Sequence, residues 1–445
     1  MEKKRNSIEN MFLFLFLIAL IKAGSTEFQC PPTTASIQQL LDEAYIPGAS
    51  IIVLNQDKIL YEKGIGYQSP PIPEERRPMD ASSSIFVLAS ISKTFIAVAA
   101  MQMVELNLLN LDEDINKYLS PRIKITHPFY PNTIITTRHL LTHTAGIGVN
   151  FVEELKFYLP GDEYTKTNLG DVLENYLSYN DSWLPITPGH NISSYSNVGA
   201  SLAAYIVERL ANISFEEYVQ EKILKVLGID KENGGYRLSN FQNQKQNLVG
   251  HYIYNASWLQ TFQAMAPRLN VSRVDNTSDW LYVPFYGISR YPAGYLRMSA
   301  HSLGLFFQSF MNNFPRLLQN SSSFEEIIRV GPQTSYKNMT SSKYGLLWFW
   351  KTIGGRRLIG HDGSVPGIST IMMANEKRNL GIIILTNGDT VRDDSQSDQV
   401  QNTINYMTKE LFDCFEKSTN KGSTYQSFNF LFYGIISIVC SYLSF

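Results

Sequence analysis

Apolar residues in the first part of the chain recur at two different spacings. Residues 34–43 (TASIQQLLDE) place them at helical intervals, which predicts an α-helix. Residues 46–67 (IPGASIIVLNQDKILYEKGIGY) contain two runs rich in β-branched residues on either side of Asn55, Gln56 and Asp57. Two such runs around a short polar turn predict a β-hairpin.

The pattern of the central region is more helical. From Ser90 to Leu106, an apolar segment rich in Ala, Met and Val predicts a buried helix. The segment TTRHLLTHTAGI predicts a second buried helix, which ends at Gly146. We expect residues 105–330 as a whole to be mostly helical, with long polar and aromatic loops.

Strand-like patterns return near the C-terminus. Residues 369–389 (STIMMANEKRNLGIIILTNGD) predict two strands joined at 375–379, and residues 396–416 predict a closing helix. Strands near both ends of the chain, with helices between them, predict an α/β architecture. Its antiparallel sheet is expected to combine residues 49–67 with residues 357–387, under a cover of terminal helices and with the helical region inserted.

The first residues resemble a secretory signal. A basic start (Lys3, Lys4 and Arg5) precedes an apolar run from Met11 to Ile21, and small residues follow. Residues 1–23 are therefore predicted to be a signal peptide. Asn-x-Ser/Thr sequons fit a secreted or cell-surface glycoprotein. They lie at Asn180, Asn191, Asn212, Asn255, Asn270, Asn276, Asn320 and Asn338.

The last residues are apolar as well. Residues 428–445 carry no charge and follow a small, polar stretch at 418–427. Three interpretations of residues 420–445 stay open: a glycolipid-anchor signal, a marginal tail anchor that attaches the protein to a membrane, or simply a hydrophobic end.

Composition narrows the function only a little. The chain has 445 residues, of which 44% are hydrophobic and 18% are charged, as in ordinary globular proteins. With a net charge of -2, the chain has no excess of basic residues to bind a nucleic acid, so no nucleic-acid partner is expected. We predict no metal site and no cofactor.

The apolar segment that begins at Ser90 contains the first candidate chemistry. Ser90 and Lys93 are three residues apart, so a helix would place both on one face. A desolvated lysine can be a neutral amine and can activate a serine. The simpler alternatives are that Ser90 caps a helix and that Lys93 reaches solvent.

Two further short motifs are candidates for the same site. Tyr195 and Asn197 precede a helical segment, and a phenol can exchange protons while an amide can bind a carbonyl group. His361 begins a His-Asp-Gly-Ser segment, in which Gly363 permits close backbone approach. The backbone N–H groups of Ser364 and Ser90 could then form an oxyanion hole. A core tyrosine and a glycine-rich surface turn are the simpler alternatives.

The order of these motifs, Ser-x-x-Lys, then Tyr-x-Asn, then His-x-Gly before a strand pair, resembles the serine β-lactamase-like family. That family includes class C β-lactamases, D-alanyl-D-alanine carboxypeptidases, esterases and D-amino-acid peptidases. The segments IPGASIIVLNQDKILYEKGIGY, TTRHLLTHTAGI, YPAGYLRMSAHSLGLF and YGLLWFW also look like family segments in family order. The resemblance covers roughly residues 34–412, which we take as one hydrolase domain.

The resemblance implies a role for each motif residue. Ser90 would be the nucleophile, and Lys93 and Tyr195 would share the general-base and general-acid work. Asn197 would hold Lys93 and the substrate amide. His361 stands where penicillin-binding proteins carry a lysine. A permanent cation for a substrate carboxylate is then missing, which argues against a β-lactam substrate, as does the neighbouring Asp362.

Two functions follow from the resemblance. The leading one is a secreted serine hydrolase that acts on a small-molecule or peptide ester or amide. The alternative is a catalytically silent component of the extracellular matrix or cell surface, for example in biomineralised tissue. All motif residues are present, which favours the hydrolase.

The cysteines offer one prediction about the ends of the domain. Cys30 and Cys414 lie at its two ends, and Cys440 lies in the apolar tail. In the expected architecture the terminal helices pack side by side, so we predict a Cys30–Cys414 disulfide. Two unrelated thiols are the alternative.

Overall fold

A computed structural model describes residues 30–71, 76–338 and 342–417. The predicted signal peptide (1–23) and the apolar tail (420–445, with Cys440) lie outside the described residues. Within the described ranges, no helix is both long enough and apolar enough to cross a membrane.

The largest sheet combines strands from the two ends of the chain. Within the described residues it has seven strands in the order β3-β4-β5-β6-β7-β1-β2, and every neighbouring pair is antiparallel. The strands are β1 Gly48–Leu54, β2 Ile59–Gly66, β3 Lys343–Tyr344, β4 Phe349–Ile353, β5 Arg356–Val365, β6 Ile368–Asn375 and β7 Gly381–Thr386. The predicted joining of the N-terminal hairpin to the C-terminal strands is confirmed, with Ile51 opposite Ile384.

Strand β1, which lies next to the β2 edge of the sheet, contributes to two separate cores. Its side chains alternate between the faces of the sheet, as the period of two in a strand requires. Ile51 and Val53 join a core beneath the terminal helices. Ile52 and Leu54 join the larger core shared with the helical region. Because both faces are covered, the strand is buried along its whole length and does not alternate between apolar and polar residues.

The terminal helices lie together on one face of the sheet. Helix α1 spans Thr34–Glu43, and the last described helix, α5, runs over 395–417. The side chains of Gln396 and Gln399 donate to the backbone carbonyls of Ala44 and Glu43 at the end of α1. Cys30 and Cys414 form a disulfide with Cα atoms 5.3 Å apart, as predicted.

The helical region covers the opposite face. Its longer helices are α2 Lys93–Glu105, α3 Asn197–Ala211 and α4 Ala300–Met311. The remaining α-helices are Thr137–Leu141, Phe151–Leu155, Leu169–Leu177, Phe215–Val219, Leu259–Met265 and Ser321–Ile328. Many short strands lie between them: Phe86–Val87, Tyr158–Pro160, Ile192–Ser193, Gly234–Gly235, His251–Tyr254, Ser272–Arg273, Trp280–Val283, Tyr286–Ile288, Arg297–Met298 and Thr334–Ser335.

Two helix predictions in this region need correction. The second buried helix ends at Leu141 rather than at Gly146, because the backbone turns left-handed at His143 (φ +58°). The segment predicted as a helix from Ser90 begins as a 3-10 turn, and the α-helix starts only at Lys93. Both departures occur beside the candidate site.

Most of the predicted glycosylation sites are accessible. Six of the sequon asparagines are exposed: Asn180, Asn191, Asn212, Asn270, Asn276 and Asn320. Asn255 is half-buried. The side chain of Asn338 lies outside the description, and glycosylation stays a prediction.

Candidate active site

Ser90 lies in a 3-10 turn over Ala89–Ser92 that runs directly into α2. Ala89 has φ +49°, in the left-handed region that residues other than glycine seldom adopt. Such strained positions cluster at functional sites. Ser90 reaches a cleft, whereas Lys93, at the start of α2, is fully buried beneath it.

The amine of Lys93 has two hydrogen-bond partners. Its Nζ lies 3.0 Å from Ser90 Oγ and donates to the carbonyl oxygen of Ala293 over 2.6 Å. Burial lowers the pKa of Lys93 well below 10.5, with a further decrease from the Arg290 guanidinium and an opposing effect of Glu154. The physical cause is the desolvation of the ammonium, so the neutral amine is favoured.

Tyr195 contacts the same serine oxygen as Lys93, and Lys93 Nζ lies 4.9 Å from the centre of the Tyr195 ring. It lies just before α3, where the Ser196 side chain caps the helix by accepting the Gly199 N–H. The Tyr195 hydroxyl donates to Ser90 Oγ over 2.8 Å. Burial raises the pKa of Tyr195 well above 10.0, so its phenol keeps its proton at neutral pH.

Strand β5 brings the His-Asp-Gly-Ser segment against the serine. A Cβ atom at Gly363 would stand 2.6 Å from the backbone nitrogen of Ser90, so only glycine fits there. The Thr370 hydroxyl on β6 donates to the carbonyl oxygen of Leu88 over 3.0 Å. Strands β5 and β6 are therefore packed against the turn that carries Ser90.

His361 is buried and close to the aromatic ring of Tyr195, with ring centroids 6.4 Å apart. Its pKa is lowered to about 4, chiefly because burial desolvates the imidazolium. His361 is therefore a neutral imidazole at physiological pH. This agrees with the expectation that position 361 offers no permanent cation.

The cleft has a volume of about 580 Å³ and combines polar and aromatic walls. Its lining residues are Ser90, Tyr195, Asn197, Ser342, Tyr344, Phe349, Lys351, His361, Asp362, Gly363, Ser364, Ser369, Thr370, Gln401 and Ile404. A larger cleft of about 700 Å³ beside Arg138 lacks a serine–lysine pair among the described residues that line it. The chemistry therefore points to the smaller cleft.

One predicted contact within the site is wrong. Asn197 lies in the cleft, but among the described residues Lys93 bonds to Ser90 and Ala293 instead of to the Asn197 amide. The carbonyl of Ala293 takes that place from a short turn over Tyr291–Ala293. The other motif residues (Ser90, Lys93, Tyr195, His361, Gly363 and Ser364) meet around the cleft or directly beneath it.

His143 is a site residue that the sequence motifs did not single out. Its Nδ1 accepts the Ser196 N–H over 3.2 Å, and its carbonyl accepts the Ser194 N–H over 2.8 Å. The two rings of His143 and Tyr195 lie 4.5 Å apart. His143 thus holds the loop that carries Tyr195, and its place within TTRHLLTHTAGI was the available signal.

Lys351 is a second such residue. It lies on β4 and forms a 2.9 Å ion pair with Asp362 of β5 inside the cleft. In the described part of the chain, no group of three or more His, Cys, Asp or Glu side chains could hold a metal ion.

This geometry agrees with the comparison to known families. Residues 33–403 match the family model described as beta-lactamase. The chain belongs to the beta-lactamase family. This family includes serine hydrolases such as penicillin-binding proteins and amidases.

Curated relatives of this beta-lactamase family chain are distant. Protein flp of Staphylococcus aureus (strain MRSA252) is 24% identical over 360 residues, which cover 79% of the chain and 61% of that relative. Penicillin-binding protein 4* of Bacillus subtilis (strain 168) is 23% identical over 357 residues, which cover 78% of the chain and 70% of that relative. The chain thus matches only 61% of the length of Protein flp.

Solved structures support the same beta-lactamase fold. D-amino acid amidase from Ochrobactrum anthropi SV3, complexed with L-phenylalanine amide, aligns with a TM-score of 0.67 at 18% identity and covers 86% of this chain and 99% of its own. The octameric penicillin-binding protein homologue from Pyrococcus abyssi aligns with a TM-score of 0.59 at 22% identity. The alignment covers 79% of this chain and 72% of the homologue. At these identities the likeness is one of fold.

Proposed function

We propose that the protein is a secreted serine hydrolase that cleaves an ester or amide through an acyl-enzyme on Ser90. The observation that carries the proposal is the three-residue contact at one oxygen. Ser90 Oγ lies 3.0 Å from Lys93 Nζ and accepts the Tyr195 hydroxyl over 2.8 Å. A serine needs a nearby base to become a nucleophile, and this one has a buried amine in reach.

With a neutral Lys93, the hydrogen bonds around Ser90 Oγ have a consistent direction, from Tyr195 to Ser90 and from Ser90 to Lys93. The neutral Lys93 amine accepts the Ser90 hydroxyl proton through its lone pair and donates one of its own hydrogens to Ala293 O. Tyr195, which keeps its proton, donates to Ser90 Oγ. Lys93 is therefore the general base, and Tyr195 is the group that can protonate the leaving oxygen or nitrogen. General bases of this kind contribute ~10²–10⁴-fold in rate.

Acylation then proceeds with atoms and charges in balance. Ser90 Oγ forms a bond to the carbonyl carbon while its proton moves to Lys93. The negative oxygen is received by the N–H groups of Ser90 and Ser364, each such donor contributing roughly 10²–10³-fold. The bond to the leaving group breaks as that group takes the Tyr195 proton, which Lys93 replaces. Water, activated in the same way, releases the acid and restores Ser90.

The substrate class follows from the family and the cleft. Relatives include proteins named as a penicillin-binding protein and a D-amino acid amidase, so esters and amides are the natural candidates. The neutral His361 offers no cation to a β-lactam carboxylate. The contacts of Lys93 and Tyr195 with Ser90 favour the hydrolase over the silent matrix protein, since a silent protein has no need to keep them. Secretion is part of the proposal and rests on residues 1–23 and the sequons.

The proposal is tested by mass spectrometry after brief incubation with an activated p-nitrophenyl ester and, separately, with a fluorophosphonate probe. We expect one adduct, mapped to Ser90, and none in Ser90→Ala. Lys93→Met keeps a long apolar stem in the buried site and should abolish the adduct, whereas Lys225→Met, an exposed lysine paired with Glu221, should not. An adduct on another residue, or no adduct on the folded protein with any probe, would overturn the proposal.

A further inference from the structure

The cleft contains two charged side chains, and they face each other. Lys351 on β4 and Asp362 on β5 form a 2.9 Å ion pair, with side chains 23% and 34% exposed. Every other described lining residue is neutral, since burial keeps His361 uncharged at physiological pH. The fixed charges of the cleft therefore cancel.

This pair lines the same cleft as Ser90. Asp362 directly precedes Gly363, at which an added Cβ would stand 2.6 Å from the Ser90 nitrogen. Tyr344 and Phe349 line the same cleft and stack edge to face, with ring centroids 5.7 Å apart. A group bound beside Ser90 thus meets an apolar aromatic wall and a closed ion pair together.

The ion pair contributes little to stability but much to selection. A partly exposed pair is typically worth about 0–1 kcal/mol, so its removal leaves the fold intact. A charged substrate group entering beside it would lose its hydration. One member of the pair would attract the charged group and the other would repel it. The two effects cancel, so the pair does not compensate for the lost hydration. An uncharged group meets neither penalty.

We propose that the Lys351–Asp362 ion pair is a charge filter: it selects substrates whose acyl part is uncharged and apolar, such as esters or amides of neutral aromatic or aliphatic acids. This inference rests on the proposed hydrolase function and extends it to a substrate class. It also assigns specificity to two residues outside the catalytic contact at Ser90.

The test uses p-nitrophenyl esters of phenylacetic acid with a para methyl, carboxylate or aminomethyl group. These esters have similar shape and differ in charge. We expect the native protein to prefer the methyl ester over both charged esters by roughly tenfold in kcat/KM. Asp362→Asn should raise the carboxylate-to-methyl ratio, and Lys351→Gln the aminomethyl-to-methyl ratio, each by roughly tenfold. Ratios within one variant cancel any general loss of activity.

Matched controls lie at the other end of the same sheet. Arg357 and Glu376 form an exposed ion pair outside the cleft. Arg357→Gln and Glu376→Gln change the net charge by the same amounts and should leave all ratios as in the native protein. Ratios that do not respond to Asp362→Asn and Lys351→Gln, or that respond equally in the controls, would overturn the filter while leaving the hydrolase intact.

A binding measurement separates the filter from catalysis. The three corresponding phenylacetamides are compared by saturation-transfer NMR on Ser90→Ala and on Ser90→Ala combined with each charge variant. We expect the same reversal of preference as in the kinetics. A preference that reverses here without ester turnover in the native protein would support the filter and overturn the hydrolase. An unchanged preference, or no binding of any probe, would overturn the filter.

Discussion

The Tyr195 hydroxyl donates to Ser90 Oγ over 2.8 Å, and Lys93 Nζ lies 3.0 Å from the same oxygen. The nucleophile is thus held between a protonated phenol and a neutral amine. Tyr195→Phe removes the phenol and keeps the ring that packs against His143. We expect kcat for an activated ester to fall ~10²–10⁴-fold, with a small change in KM.

The matched control for this change is Tyr236→Phe. The Tyr236 hydroxyl is buried and has no hydrogen-bond partner among the described residues, and it does not line the cleft. Its loss should leave ester turnover unchanged. Equal turnover in Tyr195→Phe and in the native protein would remove Tyr195 from the mechanism.

The pH dependence of kcat/KM follows from the pKa values of Lys93 and Tyr195, which are shifted in opposite directions. Lys93 serves as a base only when it has lost its proton, and its pKa lies well below 10.5. Tyr195 serves as a donor only while protonated, and its pKa lies well above 10.0. We expect kcat/KM to rise with pH through the lowered pKa of Lys93 and then to stay level into the alkaline range. A profile that keeps rising up to pH 10.5 would indicate an ordinary, solvated lysine.

Gly363 provides a steric test of the site. In Gly363→Ala, the new Cβ would stand 2.6 Å from the Ser90 nitrogen and 2.8 Å from Thr370 Oγ1. Because the first of these atoms is backbone, β5 must shift away from the serine. We expect acylation to slow by at least ~10²-fold, as measured by the rate at which p-nitrophenol is released from a p-nitrophenyl ester. Gly331→Ala, where no atom lies within 4 Å of the new Cβ, is the control and should acylate normally.

His143 is expected to act as a positioning residue for Tyr195. His143→Ala removes the acceptor for the Ser196 N–H and strains a backbone with φ +58°. Since small misplacements of catalytic groups can reduce rates about 10²-fold, kcat should fall by up to that factor while KM changes little. His143→Asn tolerates the left-handed backbone and can accept the same N–H, so it should restore part of kcat. Identical losses of kcat in the two variants would instead indicate a packing role only.

The disulfide is expected to stabilise the whole domain. Cys30 and Cys414 are 384 residues apart, and they join the two ends of the described chain. Replacing both by Ser should lower the free energy of unfolding by about 2–5 kcal/mol, measured by urea denaturation. Reducing agent should destabilise the native protein and leave the double variant unaffected. Non-reducing peptide maps with two free thiols would contradict the pairing.

The sequence predicts those features that local patterns encode. β1 and β7 each contain a run of three β-branched residues, so their existence and their pairing follow from pattern and topology. The catalytic motif residues also carry their own signals. By contrast, the strands of two to four residues in the central region are too short to show any periodicity.

The missed features depend on contacts between distant parts of the chain. Ala293 takes the Lys93 hydrogen bond through a backbone carbonyl, which no residue type reveals. Lys351 and Asp362 meet only because β4 and β5 are paired. A turn that begins at Ala89, with φ +49°, replaces the first turn of the predicted helix. Gly363 from a distant strand lies against this turn. In each case tertiary structure overrides local preference.

The sheet also dictates when this protein can fold during its synthesis. β1 is made early, yet the strand that covers its open edge, β7, follows more than three hundred residues later, with Ile51 opposite Ile384. At ~5–20 residues per second, a ribosome needs roughly 15–70 s to deliver that partner. Throughout this interval the nascent hairpin exposes an unpaired apolar edge. Such edges recruit other chains, so β1 is an aggregation-prone part of the growing polypeptide until β7 has been made.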